Sequence, residues 1–201
     1  MGNSLHPMLR RLLVPSLAGI GAFAALAGSG VILNGTPSMP LGLYRVRHGF
    51  PQTRNSIVSF CPTGEAYQYI RRYEPAIAEH STCPNGAVPF LKYAAALPGD
   101  RVSVRSDGVH VNDGPALAGS IPLELANGAT GIRHLPRLSH STWTIPPGHV
   151  WTYTPVWFSF DSRYYGPVAI DRVAVPLLVH IEPPHTAIPL SIQRLQKTAR
   201  S

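Results

Sequence analysis

Residues 88–111, "VPFLKYAAALPGDRVSVRSDGVHV", carry the clearest fold signal in the chain. The first part, 88–97, is long and apolar, which indicates a buried strand. Further on, valines alternate with polar residues on both sides of Asp107-Gly108. An Asp-Gly pair between two alternating segments is typical of a tight β-hairpin. This stretch therefore predicts a buried strand followed by a hairpin.

The rest of the chain carries signals of the same kind. It contains 21 proline and 18 glycine residues spread throughout, which disfavours a helical bundle and favours short strands joined by turns. We expect few helices, with one helical turn around 66–73. The sequence thus predicts a mostly β domain. Further strands are expected at 42–46, 55–60, 149–154 and 171–181, the last being one strand or a pair broken by Pro176.

A long apolar run precedes this domain. Residues 12–33 contain no charged side chain, and Arg10 and Arg11 stand just before them. A run of about 20 such residues can span a bilayer as a helix, and arginines before it keep that end cytoplasmic. A cleavable signal peptide ending at Ala25–Ala27 is the alternative, although the apolar run continues past that site. We expect a cytoplasmic N-terminus at 1–11, an inner-membrane helix at 12–33, a periplasmic domain at 34–182 and a basic tail at 183–201.

The two cysteines, Cys61 and Cys83, are each followed by a proline. In an exported domain such a pair suggests one disulfide, and two buried free thiols are the alternative. The bridge would close a loop of about 20 residues, which contributes about 3 kcal/mol in the chain-entropy model.

Charge narrows the choice of partners. Charged residues make up only 13% of the chain and the net charge is +7. The basic residues are scattered, without a dense run interleaved with aromatic residues, so nucleic acid is not expected as a partner. Of the 17 basic residues, two are lysines, Lys92 and Lys197. Lys92 lies in the apolar 88–97 segment, where burial would lower its pKa. Arginine cannot lose its proton in this way.

Three short motifs follow the apolar run in a fixed order. They are Ser38-Met39-Pro40, Lys92 shortly before Pro98-Gly99-Asp100, and Asp161-Ser162-Arg163 with Gly166. Together they resemble the type I signal peptidase family, and more closely its branch that matures conjugative pili, the TraF-type proteases. The resemblance covers most of residues 12–175.

The resemblance implies a signal-peptidase-like β catalytic domain behind a transmembrane helix, with Ser38 as nucleophile and Lys92 as general base. The chemistry agrees, because a serine hydroxyl needs a base and a neutral lysine can be one. The Ser38 N–H can donate to an oxyanion. The resemblance adds Thr36 as a second oxyanion donor and Ser159 as the group that orients the lysine. It also implies a structural ion pair of Asp161 and Arg163 beside the site, with Asp161 expected to affect activity.

The resemblance also implies a substrate. This is a pre-pilin, or another exported subunit of a conjugation or type IV secretion system, at the inner membrane beside the transfer apparatus. No cofactor or metal is implied. Cleavage in this branch removes a C-terminal peptide and joins the pilin ends, which an acyl-enzyme allows when an amine replaces water. The residues alone do not distinguish hydrolysis from this transfer.

Other interpretations of the same residues stay open. A serine in a proline-rich turn is usually a turn residue, and a lone lysine often snorkels to the surface. A triad of Ser38, a histidine (His134, His140 or His149) and Asp161 is also possible in principle. A zinc site is not expected, because there is no HExxH motif. A general leader peptidase and a non-catalytic, membrane-anchored assembly protein are the rival functions.

Overall fold

The computed structural model describes residues 30–74, 81–128, 131–135, 138, 141–182 and 185–199. Within these residues the chain is mostly β, as predicted. The strands are β1 Val31–Asn34, β2 Leu41–His48, β3 Ile57–Phe60, β4 Phe90–Ala96, β5 Arg101–Arg105, β6 Gly108–Val111, β7 Leu125–Gly128, β8 Gly131–His134, β9 Thr142–Thr144, β10 His149–Tyr153, β11 Val168–Ala169 and β12 Arg172–His180. The helices are α1 Gly64–Tyr73, α2 Ser162–Tyr165 and α3 Leu190–Ala199.

Most strands join one antiparallel sheet, in the order β1-β2-β12-β3-β4-β10-β11. Strand β12 returns from the far end of the chain to lie between β2 and β3. A second sheet has the order β6-β5-β9, and β7 and β8 form a separate ribbon. The large sheet thereby brings the turn after β1 and the start of β4, far apart in sequence, into one structural unit.

The predicted hairpin is present as β5 and β6. Val102 pairs with Val111 and Val104 with Val109, on either side of the Asp107-Gly108 turn. Val102, Val104 and Val109 are fully buried. They pack with Trp151 of β10 in one hydrophobic cluster, so the hairpin covers one end of the large sheet.

Residues 172–180 form one strand. Its pairing with β2 shifts register between Pro176 and Leu178. This bulge absorbs one extra residue, Leu177, next to a proline that cannot donate a hydrogen bond. Because of this bulge, β12 continues past Pro176 as one strand. Of the two alternatives that the sequence left open, one strand or a pair broken by Pro176, the first is present.

The structure corrects the C-terminal end of the predicted transmembrane helix. Residues 31–33 form β1, in which Leu33 pairs with Leu43 of β2. A short apolar run fits a strand as well as a helix, and here pairing with β2 decides between them. Residues 1–11 and 12–29, with the alternative cleavage site at Ala25–Ala27, lie outside the described residues. Among the residues that are described, no helix is long and apolar enough to cross a membrane.

Two helices differ from the prediction: one is longer than predicted and the other was not predicted. Helix α1 has 10 residues instead of a single turn, and buries Ala66, Tyr69 and Ile70. The segment that carries it is closed by the Cys61–Cys83 disulfide. Helix α3 lies in the predicted basic tail, where Ile192 is buried. The tail therefore contributes a packed helix.

Candidate active site

Ser38 lies in the turn between β1 and β2. The next residue, Met39, is 3% exposed and packs in a cluster with Tyr44, Leu91 and Ala174. This buried side chain anchors the turn, while Ser38 itself is half-buried. The Ser-Met pair thus places one side chain in the core and the nucleophile candidate at the surface of a cavity.

Thr36 lies next to the Ser38 hydroxyl and is itself held by Asn34. Thr36 Oγ1 lies 3.4 Å from Ser38 Oγ. Thr36 also donates its hydroxyl hydrogen to Asn34 Oδ1 at 2.9 Å. The Ser38 N–H has no hydrogen-bond acceptor among the described residues, so it can donate to a bound group. Sequence reasoning missed Asn34, although its Asn-Gly step is a turn signal.

Lys92 lies on β4 and is 5% exposed. Its Nζ donates a hydrogen bond to Ser159 Oγ at 2.9 Å, and this is its one hydrogen bond within the described residues. Burial lowers the pKa of Lys92 to about 8; the Asp161 carboxylate raises this pKa and the Arg163 guanidinium lowers it. About one tenth of this lysine is therefore neutral at pH 7, far more than for a lysine of ordinary pKa.

Asp161 and Arg163 form a fully buried ion pair beside this lysine. Arg163 Nε and Nη2 donate to the two carboxylate oxygens at 2.8 and 2.9 Å. The same Nη2 donates to the Ser159 carbonyl at 2.9 Å. The pair thereby fixes the backbone of the serine that accepts the Lys92 hydrogen bond.

Burial has the largest single effect and lowers the pKa of Arg163, but the Asp161 carboxylate together with the Tyr164 and Tyr153 side chains keeps that pKa above its usual value. Asp161 also caps α2 by accepting from the Arg163 N–H at 3.1 Å. The aspartate is thus a structural element of this corner, in addition to any effect on the lysine.

One groove of about 560 Å³ is lined by four of the predicted site residues: Thr36, Ser38, Lys92 and Ser159. Within the described residues, no hydrogen bond joins Ser38 Oγ to Lys92 Nζ. A smaller cavity of about 200 Å³ lies on another side of Ser38. Its polar lining includes His180 and Glu182, whose Nε2 and Oε1 lie 3.2 Å apart. Ser38 therefore borders both cavities.

The Pro-Gly-Asp motif forms the turn from β4 to β5. Gly99 has φ +88°, a conformation that favours glycine. Asp100 accepts from the Leu97 N–H at 2.8 Å and from Arg54 Nε at 2.9 Å. Hydrogen bonding from Arg54 lowers the pKa of Asp100 to about 2. This motif holds the end of the Lys92 strand and does not line the groove.

The predicted triad of Ser38, one of His134, His140 and His149, and Asp161 finds no support in the described geometry. The Asp161 carboxylate accepts from Arg163 and from the Thr154 N–H, and from no histidine in the described part of the chain. His149 Nδ1 lies 3.0 Å from the Pro147 carbonyl oxygen. His134 lies on β8 and is exposed. His140 lies outside the described residues.

Residues 12–176 match the family described as signal peptidase, peptidase S26. The chain belongs to this family, which confirms the resemblance drawn from its three motifs and supports a serine peptidase.

The curated relatives carry more particular names. The conjugal transfer protein TraF of Agrobacterium tumefaciens is 36% identical over 146 residues, which cover 72% of this chain and 78% of the relative. The probable conjugal transfer protein TraF of Sinorhizobium fredii is 32% identical, covering 81% of this chain and 82% of its own. A plasmid transfer protein TraF of Escherichia coli is 31% identical, with 78% and 87% covered.

A solved signal peptidase I from Enterococcus faecalis also matches. It is 18% identical and covers 61% of this chain and 92% of its own, with a TM-score of 0.31. This overlap is too small to support a comparison of folds, so membership of the family rests on the sequence.

Proposed function

We propose that this chain is a membrane-anchored serine endopeptidase that uses Ser38 and Lys92 to mature a pilin or another exported subunit of a conjugation system. The observation that carries the proposal is the state of Lys92. Its pKa is lowered to about 8 by burial, and its one described hydrogen bond goes to the uncharged hydroxyl of Ser159. A lysine held in this way, in the same groove as a serine hydroxyl, suits general-base chemistry.

The proposed reaction passes through an acyl-enzyme. A neutral Lys92 that donates to Ser159 Oγ keeps its lone pair free for the Ser38 proton. Ser38 Oγ bonds to the scissile carbonyl carbon as Lys92 takes that proton. The C–N bond then breaks and Lys92 returns the proton to the leaving amine. Since no hydrogen bond joins the two side chains in the resting protein, the contact must tighten when substrate binds.

The groove suits an extended polypeptide. Strand β1 is the edge of its sheet, and β10 pairs with β4 only from Tyr93 onward. The outer backbone edges of β1 and of Phe90–Leu91 are thus unpaired in the described sheet, and Ile32, Leu33, Phe90 and Leu91 line the groove. Exposed strand edges recognise extended peptides through main-chain hydrogen bonds, with side chains entering pockets between them.

The kind of substrate rests on the relatives, which are named as conjugal or plasmid transfer proteins. The family resemblance implies that the pilin of such a system is the exported chain to be matured. The second cavity beside Ser38 offers space for the leaving fragment or for an incoming amine. If the amine is the pilin's own N-terminus, its nitrogen replaces Ser38 Oγ on the carbonyl carbon, and Ser38 regains a proton.

The proposed location is the periplasmic face of the inner membrane. The apolar run at 12–29 leads directly into β1. Leu33, Leu43 and Leu178 align across β1, β2 and β12, and the first and last are 75% and 71% exposed. An exposed apolar row next to such a run suits the boundary of a bilayer. This arrangement would hold Ser38 near substrates that are still in the membrane.

The proposal is tested by coexpressing the full chain with the pre-pilin encoded in the same locus and analysing the pilin by mass spectrometry. We expect wild-type protein to shorten the pilin, and Ser38→Ala and Lys92→Ala to leave it intact. A processed pilin lighter by one water than the linear product would identify end joining. Processing that persists in both variants would rule out the Ser38–Lys92 pair. A defect in bulk secretion after depletion of the chain would favour a general leader peptidase.

A further inference from the structure

We propose that Asn34 is a positioning residue that controls the hydroxyl protons of Thr36 and Ser38. The proposal rests on the proposed function, because it concerns the same nucleophile. Asn34 is the last residue of β1 and is 8% exposed. Its side chain is buried under the turn that carries Ser38, and within the described part of the chain every hydrogen bond of this side chain goes to that turn.

The amide of Asn34 ties the two ends of the turn together. Its Nδ2 lies 3.0 Å from the carbonyl oxygen of Thr36 and 3.1 Å from those of Met39 and Pro40, so its two hydrogens are shared among three acceptors. Its Oδ1 accepts from the Thr36 N–H at 3.2 Å and from the Thr36 hydroxyl at 2.9 Å. The amide cannot be reversed, because its oxygen would then face three carbonyl oxygens. The turn therefore closes around this one side chain.

The same bonds determine where the Thr36 hydroxyl hydrogen points and which of Thr36 and Ser38 can donate to the other. The Thr36 hydroxyl has one hydrogen, and Asn34 Oδ1 can only accept, so that hydrogen points to Asn34. At the 3.4 Å contact with Ser38 Oγ, Thr36 can then only accept. In the resting protein Ser38 is therefore the donor of any hydrogen bond at this contact, and Thr36 has no hydrogen to offer an oxyanion.

This arrangement gives Asn34 a defined role in the reaction. For Thr36 to stabilise an oxyanion, its hydrogen must leave Asn34 Oδ1 and turn to the substrate. Asn34 holds the hydroxyl within reach of Ser38 until a stronger, charged acceptor appears. It acts through Thr36, without touching the substrate carbonyl itself.

An ordinary structural role is the competing explanation, and the chain contains a matched control for it. Asn85 accepts from the Ala87 N–H at 3.2 Å and donates to the Pro62 carbonyl at 2.8 Å. It braces the disulfide-closed segment with the same chemistry as Asn34, but does not line the Ser38 groove. Replacing each asparagine with alanine separates loss of a turn brace from loss of control over the nucleophile.

The experiment measures kcat and KM on the pre-pilin for the full-length protein in detergent, together with the urea midpoint of each variant. We expect Asn34→Ala to lower kcat by about 10- to 100-fold with KM within about twofold, since small misplacements of reacting groups cost this much. Asn85→Ala should lower the urea midpoint and leave kcat of the folded protein unchanged.

A double-mutant cycle completes the test. If Asn34 acts through Thr36, the double variant Asn34→Ala/Thr36→Ala should be no slower than Thr36→Ala alone. Rate losses that multiply, or an Asn34→Ala protein that is less stable but has normal kcat, would overturn the proposal. Pilin processing by Ser38→Ala would instead refute the proposed function, so the two failures can be told apart.

Discussion

Two buried cations, Lys92 and Arg163, lie side by side in this domain with opposite surroundings. Arg163 donates to both oxygens of Asp161 and to the carbonyls of Gly119, Val156 and Ser159. Lys92 donates only to the Ser159 hydroxyl within the described residues. Burial disfavours charge on both. The carboxylate nevertheless raises the pKa of Arg163, whereas the pKa of Lys92 falls to about 8.

Because their surroundings differ, one site can hold both a fixed charge and a proton acceptor. An arginine paired with a carboxylate stays charged and acts as a structural clamp. A lysine without a carboxylate partner becomes a base near neutral pH. Because Asp161 and Arg163 neutralise each other, the lysine next to them feels two opposing effects.

The largest expected effect comes from removing the proposed general base, Lys92. Lys92→Met and Lys92→Arg should each lower kcat/KM on the pilin by about 10²- to 10⁴-fold, the range of general acid–base catalysis. Arginine should fail as fully as methionine because it keeps its proton. Lys197→Met, which changes the exposed lysine of α3, is the control and should behave as wild type. Substantial activity in Lys92→Arg would exclude the general-base role.

Lys92→Met should also stabilise the protein at pH 7. A lysine in the unfolded chain keeps its proton up to its ordinary pKa of 10.5, whereas the folded one loses it near 8. Stability therefore rises with pH between these two values, and the burial cost is complete below pH 8. A shift of this size corresponds to about 3 kcal/mol. Urea unfolding of both proteins at pH 7 and pH 10 measures the gain, which should shrink at the higher pH.

Removing the carboxylate that pairs with Arg163 should instead destabilise the protein. Asp161→Asn leaves the Arg163 charge buried without its carboxylate, which costs about 3–5 kcal/mol. The matched control is Asp113→Asn, because Asp113 pairs with Arg101 and Arg105 at the surface. Such exposed pairs contribute at most about 1 kcal/mol. Equal urea midpoints for the two variants would contradict the clamp role of the buried pair.

The pH dependence of cleavage tests the lysine without mutation. With a pKa of about 8, the neutral fraction of Lys92 rises about tenfold between pH 7 and pH 9. We expect kcat/KM to rise with it and to level off above pH 9. A profile with its midpoint near 6.5 would indicate a histidine base instead.

The smallest expected effect concerns the group that orients the lysine. Ser159→Ala removes one neutral hydrogen bond, worth about 1 kcal/mol, so kcat should fall about fivefold while Lys92 remains a base. Ser103→Ala, a buried serine on β5 in the other sheet, is the control. An unchanged kcat in Ser159→Ala would mean that packing alone orients the lysine.

Sequence reasoning captured the features that depend on neighbouring residues. The β5–β6 hairpin follows from local alternation and an Asp-Gly turn. The burial of Lys92 follows from the apolar residues around it. Residues 31–33 were misassigned because an apolar run fits a helix or a strand until its pairing partner is known. The packing of α3 depends on contacts with a distant part of the chain, such as the bond from the Glu124 N–H to Gln196.

In the candidate site, too, the features that depend on distant contacts could not be predicted from neighbouring residues. Ser159 is 67 residues from Lys92 in sequence, and no local pattern joins them; only the family resemblance brought Ser159 into the prediction. Asn34 was missed because its role depends on how the turn closes over it. The buried pair of Asp161 and Arg163 fits a sequence spacing of two, but its burial does not follow from that spacing.

The Cys61–Cys83 bridge has a consequence for when the enzyme can act. It closes the segment that carries α1, and Tyr69 and Ile70 of that helix form part of the groove wall. Disulfides persist in the periplasm and are rare in the cytosol. If the chain is exported as proposed, it would complete its groove only after export, so precursors on the cytosolic side would be spared. Loss of pilin cleavage on reduction, and its return on reoxidation, would reveal this timing.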